Sequence, residues 1–288
     1  MGTEITFGDG ECLDRYLANG DKAWLDRVGT FGHRSVSSRR LEGMLAESYA
    51  GFPAAAFRTE TVRVLDGLRA HPPHAGRWRH FGLDVDYDPV AAKEQLGQLM
   101  DSAGREHMAT TLETSRRYDE AARAARRCQD LREPMAWREQ QMSLHAIHAI
   151  QMMPPDTRAV LCGHNLHVGP GSAHIDTPDG VGPDGGIRAP LGRTLADRDP
   201  GQIACIWTLH DHGVDSGPPP TGGPFRSTPR SLNAAFAGVG WVFAIPTRTV
   251  QAMRRPWKIA MCGTTIHGVP ADLCDLILFT AEATPLHQ

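Results

Sequence analysis

The stretch Arg158-Ala159-Val160-Leu161-Cys162-Gly163-His164-Asn165-Leu166-His167 decides the predicted fold. Its first part is a short aliphatic run between Pro154-Pro155 and a glycine-rich segment, which predicts a buried strand. The two histidines follow where that strand would end, and open α/β sheets bind their ligands at the carboxyl ends of strands. We therefore expect His164 and His167 to transfer protons or to hold a metal ion near neutral pH.

Strand and helix patterns alternate along the 288 residues. Apolar spacing predicts helices at 56–70, about 90–129, 133–152, 191–196 and 232–236, and further strands at 78–85, 202–209, 240–245, 258–262 and 273–279. This alternation predicts an α/β fold with a largely parallel sheet flanked by helices and a long helical segment at about 90–152. We expect one domain over residues 1–288, with long loops at 169–187 and 213–229.

The composition excludes several classes of protein. A formal net charge of −3 lacks the excess of basic residues that is typical of nucleic-acid-binding proteins. No apolar run reaches the ~18 residues of a membrane span, and the N-terminus lacks the features of a signal peptide. The six cysteines form neither CxxC nor zinc-finger spacing, which favours a reducing compartment. We expect a cytoplasmic protein that binds a small molecule; its oligomeric state does not follow from the sequence.

Polar groups also follow other predicted strands. They are Asp84-Val85-Asp86, His210-Asp211-His212 and the segment 264–267 with its two threonines and histidine. Parallel neighbouring strands would bring these ends to one rim, where a carboxylate orients an imidazole and raises its pKa. Such a pair can activate water for attack on an ester. Solvated or hydrogen-bonded loop histidines are the alternative interpretation.

Several catalytic motifs are absent from the sequence. It contains no HExxH, no G-x-S-x-G, no P-loop and no G-x-G-x-x-G. A serine nucleophile, an NTPase and a dinucleotide-dependent dehydrogenase are therefore disfavoured. A divalent metal at His164 and His167 is compatible with the sequence but not required, because no complete ligand set is visible. His145 and His148 share a helix face and could be a surface pair or metal ligands.

Several segments resemble, in order, the erythromycin esterase family of bacterial hydrolases. Gly163-His164-Asn165-Leu166-His167-Val168 is similar to its A-H-N-x-H motif, which is the most specific match. Phe81-Gly82-Leu83-Asp84-Val85 resembles its F-Y-G-F-D strand, and Trp137-Arg138-Glu139-Gln140-Gln141-Met142 resembles its R-D-x-x-M-A-x-N helix. Weaker similarities are found at 13–20, 59–69, 191–209, 225–236 and 272–285.

The resemblance implies a hydrolase that cleaves an ester or lactone by attack of water. Macrolide lactones are the best-known substrates, which connects the family with antibiotic resistance. His164 and His167 would polarise the ester or its oxyanion. Asp84 would orient a histidine or hold the local structure, Arg138 would stabilise negative charge, and Asn165 would support the site. No cofactor is required on this interpretation.

Two departures from the family pattern favour an alternative. The helix motif lacks its final asparagine, since the chain continues as Met142-Ser143-Leu144-His145. The family also begins with a strand ending in G-E-x-x-H-G and a second strand ending in a glutamate, and neither is recognisable here. Residue 1 would fall near the end of that second strand, so the first strand–helix units would be absent. The alternative is a non-catalytic or metal-binding remnant of the family.

Overall fold

The computed structural model describes residues 1–29, 54–73, 76–85, 132–171, 174–176, 190–215, 223–261 and 264–284, with a few positions between 106 and 117. The chain divides into two units, one running mainly up to Gly163 and the other mainly from His164. The predicted single domain over 1–288 stays a prediction. No helix in these ranges is both long and apolar enough to cross a membrane.

A short parallel sheet organises the first unit. Strand β1 (Gly2–Thr6) lies between β2 (Phe81–Asp84) and β3 (Leu161–Cys162) and runs parallel to both. β3 is only two residues long, and Val160 before it is exposed. The prediction of a buried strand over 158–163 is therefore wrong in length and burial. The physical reason is that, among the described residues, β3 pairs only with β1 and its aliphatic run is not enclosed.

Helix α1 (Phe7–Asn19) starts directly after β1. The hydroxyl of Thr6 accepts a hydrogen bond from the backbone N–H of Asp9 and caps the helix. Gly20 ends it in the left-handed conformation, with φ of 75°. Its apolar side packs against α2 (Ala54–Ala70), and their shared core includes Leu13, Tyr16, Leu17 and Leu65.

Two glycines let α1 touch β2 backbone to backbone. A Cβ on Gly10 would lie 1.9 Å from the backbone nitrogen of Gly82, and a Cβ on Gly82 would lie 2.0 Å from the carbonyl oxygen of Thr6. Any side chain at either position would force the helix away from the strand. This contact also explains why the F-G-L-D segment carries glycine.

Asp14 of α1 fastens the segment that leads into β2. Its carboxylate accepts hydrogen bonds from the guanidinium groups of Arg77 and Arg79 and from the backbone N–H of His80, at 2.8–3.2 Å. Burial opposes ionisation of Asp14, yet the bonds from Arg77 and His80 and the charge of Arg79 lower its pKa below the ordinary value. The carboxylate therefore fixes where β2 begins.

Helix α3 (Arg132–Gln151) also belongs to the first unit and contacts β2. Its bounds and those of α2 differ by no more than two residues from the predicted helices at 133–152 and 56–70. The helix predicted at about 90–129 falls, apart from single helical residues between 106 and 117, outside the described residues.

The second unit contains two further sheets. A four-stranded sheet has the order β6 (Gly223–Arg226), β5 (Ile206–Asp215), β10 (Leu276–Ala283), β7 (Val242–Pro246). A three-stranded antiparallel sheet has the order β4 (His174–Asp176), β9 (Thr264–Gly268), β8 (Trp257–Met261). The helices of this unit are α4 (Asn165–Val168), α5 (Leu191–Arg198), α6 (Leu232–Ala237) and α7 (Pro270–Leu273).

The predicted α/β class is confirmed. Parallel pairing joins β1 to both its neighbours and β5 to β10, whereas β6 and β7 flank the four-stranded sheet in antiparallel orientation. The long loop predicted at 213–229 is partly wrong, because β5 continues to Asp215 and β6 occupies 223–226. Phe236 of α6 and Phe279 of β10 pack within the buried core on one face of this sheet.

Replacing Gly10 by alanine should lower the free energy of unfolding by about 3 kcal/mol, because the new methyl group meets backbone that cannot move aside. Gly67→Ala is the matched control: that glycine lies within α2 and a Cβ there meets nothing within 4 Å. We expect the control to be neutral or stabilising by up to about 1 kcal/mol. Urea unfolding measures both. Equal stability of the two variants would contradict the close contact between α1 and β2.

His80 should make stability depend on pH. Burial, the main cause, lowers its pKa from 6.5 to about 4. Between pH 6.5 and about 4, His80 binds a proton in the unfolded chain but not in the folded one. The free energy of unfolding should therefore decline as the pH falls through this range, by at most about 3 kcal/mol. Urea unfolding at several pH values should show a smaller decline for His80→Gln. An unchanged pH profile in that variant would exclude His80 as the cause.

Candidate functional site

The first unit holds an ion cluster that joins the carboxyl end of β2 to the middle of β1. Arg138 of α3 donates from Nε and Nη2 to the two oxygens of Asp84, each over 2.8 Å, and Nη2 also donates to Glu4 Oε1 over 2.8 Å. The side chains of Asp84 and Arg138 are 4% and 13% exposed, and that of Glu4 is 24% exposed. We call these three residues the Arg138 cluster.

The guanidinium of the Arg138 cluster is shared by two carboxylates. Asp84 is bound through both oxygens in a fork, and its Oδ1 also accepts the backbone N–H of Val85. Glu4 is the more exposed carboxylate and is therefore the one that a water molecule or a ligand reaches.

Glu4 was not among the residues singled out from the sequence. The sequence patterns predict no strand at 2–6, and the resemblance places residue 1 near the end of a strand of the family. The structure has a five-residue strand at Gly2–Thr6 with Glu4 in its middle. The absence of the family's first strand–helix units stays a prediction. The signal that could have found the strand is Thr3-Glu4-Ile5-Thr6, which is rich in β-branched residues.

A buried histidine lies next to the cluster on α3. His145 donates from Nδ1 to the carbonyl oxygen of Leu83 over 3.0 Å, and its Nε2 accepts from the side-chain amide of Gln141 over 2.8 Å. Phe7 packs against the ring. Both ring nitrogens are used within the protein, so His145 is neither a surface residue nor a metal ligand here, and both predictions for it are wrong. Its role is to join α3 to β2.

The second unit holds the histidine pair. His164 is the N-cap of α4, and its Nδ1 accepts the backbone N–H of Leu166 over 3.4 Å. His167, one turn later, is buried, and the ring centroids of the two histidines are 5.9 Å apart. The side-chain amide of Asn165 donates to the carbonyl oxygen of Thr208 over 2.9 Å and ties the helix to β5.

The cap selects the tautomer of the neutral His164 ring. A ring nitrogen that accepts a hydrogen bond carries no proton, so the neutral ring has its proton on Nε2. In this state Nε2 donates hydrogen bonds and cannot ligate a metal ion. Within the described residues there is also no group of three histidine, cysteine, aspartate or glutamate side chains suited to a metal.

Close backbone packing positions α4. A Cβ on Gly192, the second residue of α5, would lie 1.9 Å from the carbonyl oxygen of Val168 at the end of α4. Gly192 belongs to the segment 191–209 that resembles the family. Glycine at this position therefore lets α5 abut the histidine helix without a side chain between them.

The remaining predicted strand-end groups do not form one rim in the second unit. His210 lies inside β5, contacts Thr280 Oγ1 through Nδ1 over 2.5 Å, and has its pKa lowered by burial. Asp211 accepts from Ser227 Oγ and lies 3.1 Å from His212 Nδ1. Each polar side chain is thus bound to a neighbour within the same sheet.

The predicted site residues fall into two groups. Asp84 and Arg138 lie in the first unit and bind each other, and His164, Asn165 and His167 lie in the second unit and form one short segment. That the two groups share one cleft stays a prediction of the sequence. Their catalytic roles stay predictions as well.

Solved structures include chains with a similar fold. One is a Bacillus cereus protein from structural genomics, with TM-score 0.64, 15% identity and coverage of 100% of this chain and 82% of that one. A succinoglycan biosynthesis protein gives TM-score 0.64 at 14% identity, with 99% and 80% covered. A mutant of the erythromycin esterase EreC in its open conformation gives TM-score 0.60 at 13% identity, with 98% and 82% covered.

No protein-family model matches the chain. No curated protein matches its sequence either. At 13–15% identity the likeness to solved structures is one of fold. The chain therefore shares its α/β fold with an erythromycin esterase and with two proteins of other descriptions.

Proposed function

We propose that this chain is an ester hydrolase of the erythromycin esterase type, which cleaves an ester or lactone by attack of water. The observation that carries the proposal is the Arg138 cluster, because a guanidinium that holds two carboxylates lies where β2 of a parallel sheet ends. Buried ions are expensive to maintain for stability alone, which favours a functional reason. The fold shared with an erythromycin esterase supports the same reaction class.

Glu4 is the group that we assign to the hydrolytic water. Asp84 is nearly inaccessible and both of its oxygens bind Arg138, so it serves to hold the guanidinium. Arg138 in turn fixes one oxygen of Glu4. A carboxylate oriented in this way can accept a proton from water as its oxygen adds to the ester carbon, and can return that proton to the alcohol oxygen as the C–O bond breaks.

We assign the histidines to the ester carbonyl and to the oxyanion that forms there. In the tautomer that the cap selects, His164 has its proton on Nε2 and can donate it in a hydrogen bond to that oxygen. His167 stands one turn away on the same short helix. Because Arg138 is already bound to two carboxylates, we revise its predicted role from charge stabilisation to positioning of Glu4.

The metal-binding alternative is less consistent with the histidine geometry. A metal at His164 Nε2 would require the proton to move to Nδ1, which would break the cap on α4. The hydrolase needs no such change. Macrolide lactones, and with them a role in antibiotic resistance, are the first substrates to test. The predicted small-molecule partner and cytoplasmic location belong to the same proposal.

Replacing His164 by alanine should reduce kcat for ester hydrolysis by about 10² to 10³, because it removes a donor to the oxyanion. A panel of p-nitrophenyl esters and macrolide lactones, assayed with the wild-type chain first, measures this. His71→Ala is the matched control, since His71 is an exposed histidine at the end of α2. Turnover that survives in His164→Ala would remove this residue from the mechanism.

A conservative variant tests the assignment of Glu4. Glu4→Gln keeps the size of the side chain but removes the base, and we expect a loss of about 10² or more in kcat/KM. Wild-type turnover in Glu4→Gln would contradict its role as the base. Circular dichroism confirms that the variant is folded.

A further inference from the structure

Both candidate histidines are held by a helix of a single turn. Helix α4 has four residues, and the backbone N–H groups of residues 167–169 donate to the carbonyl oxygens of His164 and Asn165 over 2.9–3.3 Å. One turn fixes several backbone dihedral angles in return for few hydrogen bonds, so an isolated turn is unstable in water. The orientation of the two histidines therefore depends on the parts of the second unit that hold α4.

Strand β5 and the residue before it contact α4 at both of its ends. At the first residue, the side-chain amide of Asn165 donates to the carbonyl oxygen of Thr208. At the last residue, the Sγ of Cys205, which directly precedes β5, donates to the carbonyl oxygen of Val168 over 3.4 Å. The last four carbonyl groups of a helix have no partner inside the helix. The thiol of Cys205 therefore supplies a donor that α4 itself lacks.

Cys205 is itself held firmly. Its backbone N–H donates to the carboxylate of Asp275 over 2.8 Å, and its carbonyl oxygen accepts from the backbone N–H groups of Asp275 and Leu276. Its side chain is buried in the core of the second unit, against which Val168 packs. Burial, and then the charge of Asp275, raises the pKa of the thiol to about 12. The thiol therefore keeps its proton, and with it the ability to donate, at neutral pH.

The end of α4 is also closely surrounded. A Cβ on Gly169, the residue after α4, would lie 3.0 Å from a ring carbon of Trp207 and 3.2 Å from the carbonyl oxygen of Leu273. On another side, Gly192 lies against the carbonyl group of Val168. These contacts limit where the end of the helix can be. The bond from the Cys205 thiol adds direction, because a hydrogen bond depends on angle as well as on distance.

We propose that Cys205 is a positioning residue for the histidine helix. Its thiol fixes the last carbonyl group of α4, and through this short helix it fixes the direction in which His164 presents its Nε2 proton. The effect on catalysis rests on the proposed function, whereas the hold on α4 does not. Cys205 forms no bond to the substrate in this role. Its loss should therefore lower kcat more than it changes KM, because the donor to the oxyanion is less often in place.

Three variants of the full chain test this role in an ester-hydrolysis assay. Cys205→Ala removes the donor and should lower kcat about ten-fold while KM stays within about two-fold. Cys205→Ser keeps a donor and should recover most of the lost kcat. Cys274→Ala is the matched control, because Cys274 is a similarly buried cysteine of the same unit whose Sγ donates to Pro270 of α7. The control should keep kcat close to that of the wild type.

Amide hydrogen exchange, followed by NMR, reports on α4 without any substrate. The amides of residues 167–169 should exchange about ten-fold faster in Cys205→Ala than in Cys274→Ala, because α4 opens more often. Equal exchange in these two variants overturns the proposal, and so does a Cys205→Ser variant that exchanges as fast as Cys205→Ala. If Cys205→Ala does not fold, Cys205→Val takes its place, since valine keeps the bulk but has no donor.

The two measurements separate this proposal from the proposed function. A wild-type chain that hydrolyses no ester, with exchange that differs as expected, contradicts the proposed function and leaves Cys205 as the residue that holds α4. An active wild type whose kcat is unchanged in Cys205→Ala overturns the positioning role in catalysis.

Discussion

The bond between Arg138 and its two carboxylates is the constraint on which the first unit depends. It joins α3 to β1 and β2 at the edge of the parallel sheet, through groups that are largely removed from water. A buried guanidinium left without partners would be strongly destabilising, so the three residues stay in one arrangement. The cluster thus positions α3 and at the same time orients Glu4, and structure and proposed chemistry share one set of contacts.

Close backbone contacts at glycine positions set the distances between elements near this cluster and, in the second unit, near the histidines. Gly10 and Gly82 bring α1 against β2, and Gly192 brings α5 against the end of α4. Asp14 fixes the entry to β2 through Arg77 and Arg79. The contacts at Gly10 and Gly82 involve backbone atoms, and Asp14 is bound at both carboxylate oxygens. Together they leave little freedom for β2, the strand that ends in Asp84.

The hydrogen bonds of each histidine, rather than its position in the sequence, determine which ring nitrogen carries the proton in the neutral form. His145 is bound at both ring nitrogens and joins two elements, whereas His164 uses one nitrogen to cap α4 and keeps its proton on the other. His145 stands where the family's helix motif has an asparagine, whereas His164 lies within the segment similar to A-H-N-x-H. The proposed mechanism uses the Nε2 proton of His164 and not His145, whose two ring nitrogens bind within the first unit.

The sequence by itself determined the α/β class, the helices α2 and α3, and the residues Asp84, Arg138, His164, Asn165 and His167 as candidates. These features depend on local patterns: helical spacing over five turns, or a short motif after an aliphatic run. Tertiary structure decided that Glu4 pairs with Arg138, a residue 134 positions away, and that the strand before His164 is short and exposed. Such features arise when distant segments are brought together, and no local pattern of residues contains that information.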